Sequence, residues 1–106
     1  MIKAVMYWNR MRMEISGHAN TAPKGQDIVC AAASMLTGAL AGVLEEAQAR
    51  GRTDAKVEDK DETLAIWADP IMGSMNEIKS YYRMAVKGLR MLQEEYPKNV
   101  EIKEVH

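Results

Sequence analysis

Apolar and polar positions alternate at the start of the chain. Ile2 to Trp8 is rich in apolar and aromatic residues and predicts a strand. Met11 to Ser16 sets Met11, Met13 and Ile15 on one face and Arg12, Glu14 and Ser16 on the other. Asn9-Arg10 between them suits a tight turn, because Asn tolerates positive φ, so the two runs predict a hairpin. Periodicity then stops. Gly17 to Gly25 carries two glycines and Pro23 and predicts a loop. From Asp27, an N-cap candidate, a 3.6-residue period runs to about Arg50, where Gly51 ends it. Val29, Ala32, Ala33, Leu36, Leu40, Val43 and Leu44 form its apolar stripe, and the small residues beside them suit close approach to neighbours.

Lys56 to Asp59 and Thr63 to Ala68 predict a second hairpin around Lys60-Asp61-Glu62. Asp69-Pro70 predicts the start of a second helix, with Asp as cap and Pro at its first position. Ile78, Tyr81, Tyr82, Ala85, Leu89 and Leu92 give that helix its apolar face, and Pro97 follows its end. Val100 and Ile102 alternate with Glu101 and Lys103 in a short last strand. The order ββαββαβ predicts a compact α+β domain over 1–106, an antiparallel-rich sheet packed with two helices.

Composition narrows the functions open to such a domain. Lys plus Arg is 14 and Asp plus Glu is 15, a net charge of −1, which argues against a protein that coats nucleic acid or an anionic membrane. No direct nucleic-acid partner is expected. Ile28 to Leu44 is uncharged, but it is short for a span, dominated by Ala, Gly, Ser and Thr, and flanked by acidic residues without an aromatic belt, so no membrane is expected either. The single cysteine, Cys30, excludes an internal disulfide, and with only His18 and His106 no zinc-ligand spacing exists. A reducing, cytoplasmic setting and no metal or cofactor are expected.

The candidate chemistry gathers around the irregular loop. Cysteine attacks as thiolate, which needs a base, a positive field, or both. The expected helix places Cys30 in the first turn after Asp27, where unpaired N–H groups favour negative charge. His18, twelve residues earlier, could take the thiol proton if the loop folds back. Otherwise Cys30 is a small buried hydrophobe and His18 a solvated loop residue. Asp27 serves as a cap or orients His18, and Ser34, four residues after Cys30, shares its helical face. Lys79, Arg83 and Lys87, with Arg90 nearby, form a basic stripe. It reads as a solvated face, with a ribosome- or RNA-associated binding module as the competing function.

Gly17-His18-Ala19, five intervening residues, then Gly25-Gln26-Asp27-Ile28-Val29-Cys30-Ala31-Ala32-Ala33-Ser34 closely resembles the signature of the ribosomal-processing cysteine protease family, called Prp. The resemblance extends to the opening strands, the long helix, the second hairpin and the late helix ending near Glu95-Tyr96-Pro97. It implies an α/β sandwich-like homodimer with Cys30 as nucleophile, His18 as general base, and Gly17, Asp27 and Ser34 supporting the site. Ala19, Asn20, Thr21, Ala22, Pro23, Lys24 and Gly25 would form a lid over an extended substrate, and first-turn N–H groups would hold the oxyanion. The implied substrate is the N-terminal extension of a bacterial large-subunit ribosomal protein, the one numbered twenty-seven, cut after an aromatic pair. Phage capsid or scaffold processing is the alternative. Ala33 stands where the family has valine, and Asn20 to Lys24 lacks the glycine and the aromatic or acidic residues common in this loop.

Overall fold

The computed structural model describes residues 1–17 and 24–106, the backbone alone over 24–27. Five strands form one sheet in the order β3-β4-β2-β1-β5, with β1 Ile2–Tyr7, β2 Arg12–Ser16, β3 Thr53–Lys60, β4 Thr63–Pro70 and β5 Val100–Val105. Helices α1, Lys24–Ala49, and α2, Met75–Glu95, cover one face. The element order is the expected ββαββαβ, and every pairing is antiparallel except β1 with β5. Register explains why one face is covered. Ala4 pairs with Ile15 and Ile102, Met6 with Met13, and Met13 with Ile66, which stacks the apolar positions of four strands beneath the helices. The opposite face carries the alternate residues, where Arg12 and Lys56 both lie over the Trp67 ring, at 4.8 and 5.3 Å.

Four boundaries differ from the sequence expectation. The first hairpin closes through a 3₁₀ turn at Trp8–Arg10, and the positive φ falls on Met11 rather than Asn9. Burial of the Met11 side chain in the core holds it there. Helix α1 begins at Lys24, so Lys24 and Gly25 are helical rather than loop, and Asp27 lies inside the helix rather than capping it. β3 starts at Thr53, three residues earlier than expected, and Thr53 itself is buried. Asp69-Pro70 ends β4 instead of opening α2, since Asp69 pairs with Asp54 and Pro70 with Thr53. A residue before proline favours extended backbone, and proline's missing N–H is tolerated at a strand end. Gly73, at φ +90°, then makes the turn into Ser74 and α2.

Two expected stops hold. Gly51, at φ +74°, ends α1 with its N–H on the Gln48 carbonyl and that of Arg52 on Ala47. Asp61 and Glu62, both at positive φ, form the two-residue turn between β3 and β4. The small residues of α1 were expected to let it approach its neighbours closely. Gly38 and Gly42 instead face open space, while close helix contact occurs at Gly88 of α2, which lies against Leu36.

Candidate active site

A cavity of about 270 Å³ opens between the N-terminal half of α1 and the end of the sheet where β1 starts. Cys30, Ala33, Ser34 and Thr37 line it from α1. Ile2, Ile15 and Leu64 form its apolar floor on three neighbouring strands, and Ser16 and Gly17 close one end. Helical spacing explains the α1 wall: positions 30, 33, 34 and 37 fall on one side of the helix. Cys30 is half-buried and packs against the core edge, whereas Ser34 is exposed. The Thr37 hydroxyl donates to the carbonyls of Ala33 and Ser34, at 3.0 and 3.3 Å, so it is spent within the helix.

Gly17 is held rather than open. Its φ is +106°, and a Cβ there would lie 2.2 Å from the Met1 carbonyl oxygen. Only glycine permits that approach. The chain therefore leaves β2 at a defined point on the cavity rim, one residue before His18. His18, Ala19, Asn20, Thr21, Ala22 and Pro23 lie outside the described residues, as do the side chains of Lys24, Gly25 and Asp27. Among the expected site residues, the structure brings Gly17, Cys30 and Ser34 to one cavity.

One electrostatic expectation is corrected. Cys30 is the seventh residue of α1, about 9 Å along the axis from its start. The unpaired N–H groups of a helix are its first four, and the dipole acts mainly within its first turn. The Cys30 N–H is therefore a helical donor, and an oxyanion beside Cys30 cannot rest on it without breaking the helix. Asp59 and Glu62, from the β3–β4 hairpin, also line the cavity and were not foreseen. Thr37 was readable as a neighbour of Cys30 seven positions along the same helix face. The carboxylates needed the hairpin register, which local pattern does not supply.

The family model described as cysteine protease Prp matches residues 1–101. A search of the curated proteins finds no match. Among solved structures, the chain is similar to the essential ribosomal processing protease Prp from S. aureus in complex with a substrate peptide, with TM-score 0.78 and 19% identity, covering 98% of this chain and 99% of that one. The same S. aureus protease with a covalently linked product peptide gives TM-score 0.71 at 21% identity, over 98% and 99% of the two chains. SMU.848 from Streptococcus mutans gives 0.70 at 22%, over 98% and 91%.

Proposed function

The chain belongs to the cysteine protease Prp family, and from that premise we propose that it is an endopeptidase that uses Cys30 as nucleophile and His18 as general base. The observation that carries this reading is the placement of the lone thiol, half-buried on the cavity wall, beside Gly17, which fixes where the chain departs toward His18. His18 takes the thiol proton as the Cys30 Sγ attacks the scissile carbonyl carbon. The tetrahedral intermediate collapses, the C–N bond breaks, and His18 returns the proton to the leaving amine. Water, deprotonated by His18, then attacks the thioester and releases the acid product and the Cys30 thiol. Ser34 adds a hydroxyl to the wall, and Asp27 supports the site from the preceding turn.

The substrate we propose is the N-terminal extension of the large-subunit ribosomal protein numbered twenty-seven, acted on in the cytoplasm. The resemblance of motif and the S. aureus relative support it, and Asp59 on the cavity wall suits a substrate carrying basic residues. The test is incubation with a peptide carrying an aromatic pair before a small residue, read by mass spectrometry. Wild-type protein should cut after the pair, and Cys30→Ala should abolish cleavage while shifting stability by at most about 1 to 2 kcal/mol. His18→Ala should lose about 10²- to 10⁴-fold in rate. Undiminished cutting by Cys30→Ala overturns the mechanism, whereas wild-type cleavage of a capsid-type peptide alone moves only the target.

The homodimer we assign to the outward side of the two helices. Gly38 and Gly42 are open there, Met35 and Met84 are 73% and 74% exposed, and an apolar groove between the helices is lined by Leu36, Ala39, Val43 and Tyr81. Helix α1 is long and apolar enough to cross a membrane, and only 28% of its most apolar stretch is buried within the chain; we assign that open surface to contact with a second copy. Light scattering should give twice the chain mass, and Met35→Glu with Met84→Glu should give the single chain mass.

A further inference from the structure

The catalytic reading leaves unused the basic stripe on α2. Lys79, Arg83 and Lys87 line one wall of a cavity of about 390 Å³, whose facing wall carries Trp8, Glu104 and His106. None of its lining residues is shared with the Cys30 cavity.

Charge within this groove is unbalanced. Glu104 accepts hydrogen bonds from the Arg90 guanidinium, at 2.9 Å from Nε, and from the Trp8 indole N–H at 2.8 Å. Arg90 and Trp8 hold its carboxyl below the usual carboxylate range, so it stays ionised and matched to Arg90. Among the described residues, no ion pair engages Lys79, Arg83 or Lys87. Three positive charges therefore line the groove without an ion-pair partner among the described residues, while Glu104 of the same groove is engaged by Arg90. They stand four residues apart on one helix, about 6 Å per step along its axis. That row suits successive charges on a polymer better than one compact anion.

The facing wall selects among polyanions. Trp8 is pinned through its N–H to Glu104, and its ring lies within 15° of parallel with His106, centroids 6.5 Å apart. A half-exposed, orientationally fixed indole beside a row of cations matches single-stranded nucleic acid, whose phosphates meet the cations while a base stacks on the ring. An acidic peptide would engage the cations and leave the aromatic wall idle. We propose that the groove between α2 and β5 binds single-stranded nucleic acid, a second site separate from the thiol cavity. The near-zero net charge of the chain averages away this local row. It argues against coating a duplex, and a short single-stranded contact needs only the groove.

Fluorescence anisotropy with a labelled oligouridylate of roughly ten nucleotides, and a matched oligothymidylate, tests the proposal on the full chain. Binding should weaken with added KCl, with a log–log slope of about −2 for three phosphates on a single strand. Arg83→Glu should lose about tenfold or more in affinity and flatten that slope, and Lys79→Glu should do the same. Trp8→Leu should lose about fivefold or more. Cys30→Ala should bind like wild type, which keeps this outcome separate from the fate of the proteolytic reading. Both oligonucleotides binding leaves the proposal standing, and a difference between them reports whether the 2′-hydroxyl is read. It is overturned by an absence of salt-dependent binding, by wild-type affinity in Arg83→Glu, or by oligoglutamate of equal length binding as tightly.

Discussion

The two helices share a sheet face and divide the labour of the molecule unequally. Helix α2 fixes itself with large side chains: Ile78, Tyr82 and Leu89 are fully buried, and the Tyr82 hydroxyl donates to the Ile66 carbonyl at 3.2 Å. Its start is tied to the loop after α1, where Glu77 accepts from Arg50, Arg52 and the Tyr81 hydroxyl at 2.9, 3.0 and 2.6 Å. Helix α1 buries mostly small residues, Val29, Ala33, Thr37 and Ala47, with Leu40 and Leu44 the only large ones among its described residues. Its remaining positions go to the cavity wall and to an open apolar side. Helix α2 anchors the fold with its buried face and carries the basic row on its exposed one, whereas α1 contributes fewer large side chains to the core and lines the thiol cavity.

The sharpest way to break this contrast is a matched pair of truncations. Leu89→Ala on α2 should cost about 2 to 5 kcal/mol by urea denaturation, whereas Leu36→Ala on α1, half-buried, should cost about 1 to 2 kcal/mol at the same protein concentration. Equal losses would refute the division. Gly17→Ala comes next. The strained φ and the approach to Met1 should cost about 2 kcal/mol and lower peptide cleavage at temperatures where the protein stays folded. Unchanged melting and activity would mean the rim is softer than its geometry.

Tyr82→Phe sharpens the anchoring role by removing one buried hydrogen bond, and should cost about 1 kcal/mol, read as a shifted denaturation midpoint with an unchanged slope. The smallest effect is on acid stability. The Tyr81 hydroxyl, then Arg50 and Arg52, hold the Glu77 carboxyl at about 2, below its ordinary 4.5. A carboxyl depressed by folding contributes stability that is complete above about pH 4.5 and lost as pH falls toward 2. Melting temperatures across that window should fall in wild type and fall less steeply in Glu77→Gln. Parallel curves would remove Glu77 from the anchor.

Most elements were legible because period alone separates strand from helix here. Met11, Met13 and Ile15 alternate, Ile78, Tyr82, Ala85 and Leu89 recur at helical spacing, and both sets are buried or half-buried as their patterns require. The start of α2 is not legible locally, because Asp-Pro satisfies two local rules, a helix cap and a strand end, and only pairing with β3 decides between them. A better signal lay five residues on, in Ser74-Met75-Asn76-Glu77, the spacing of a capping box. Even that would have misled in detail. Ser74 makes no side-chain cap bond, and Glu77 turns to the arginines. At the site, Cys30 and Ser34 were tied by helical geometry and Gly17 by its motif. Ile2, Leu64 and Asp59 reach the cavity through strand order, which depends on contacts far apart in sequence.

The parallel pairing of β1 with β5 bears on how the molecule is made. Ile2 donates its N–H to the Asn99 carbonyl at 2.8 Å and sits opposite Val100, so part of the floor of the thiol cavity is clamped by residues synthesised nearly a hundred positions later. Both hairpins and both helices can form from local contacts, but closing a loop of that length is slow and yields nothing until the last strand arrives. On a translating ribosome the β1 edge stays open until residues 100–105 have been made. The pocket that holds Cys30 is thus among the last parts of the molecule to become rigid, and a nascent chain carries its thiol before it carries a finished cleft.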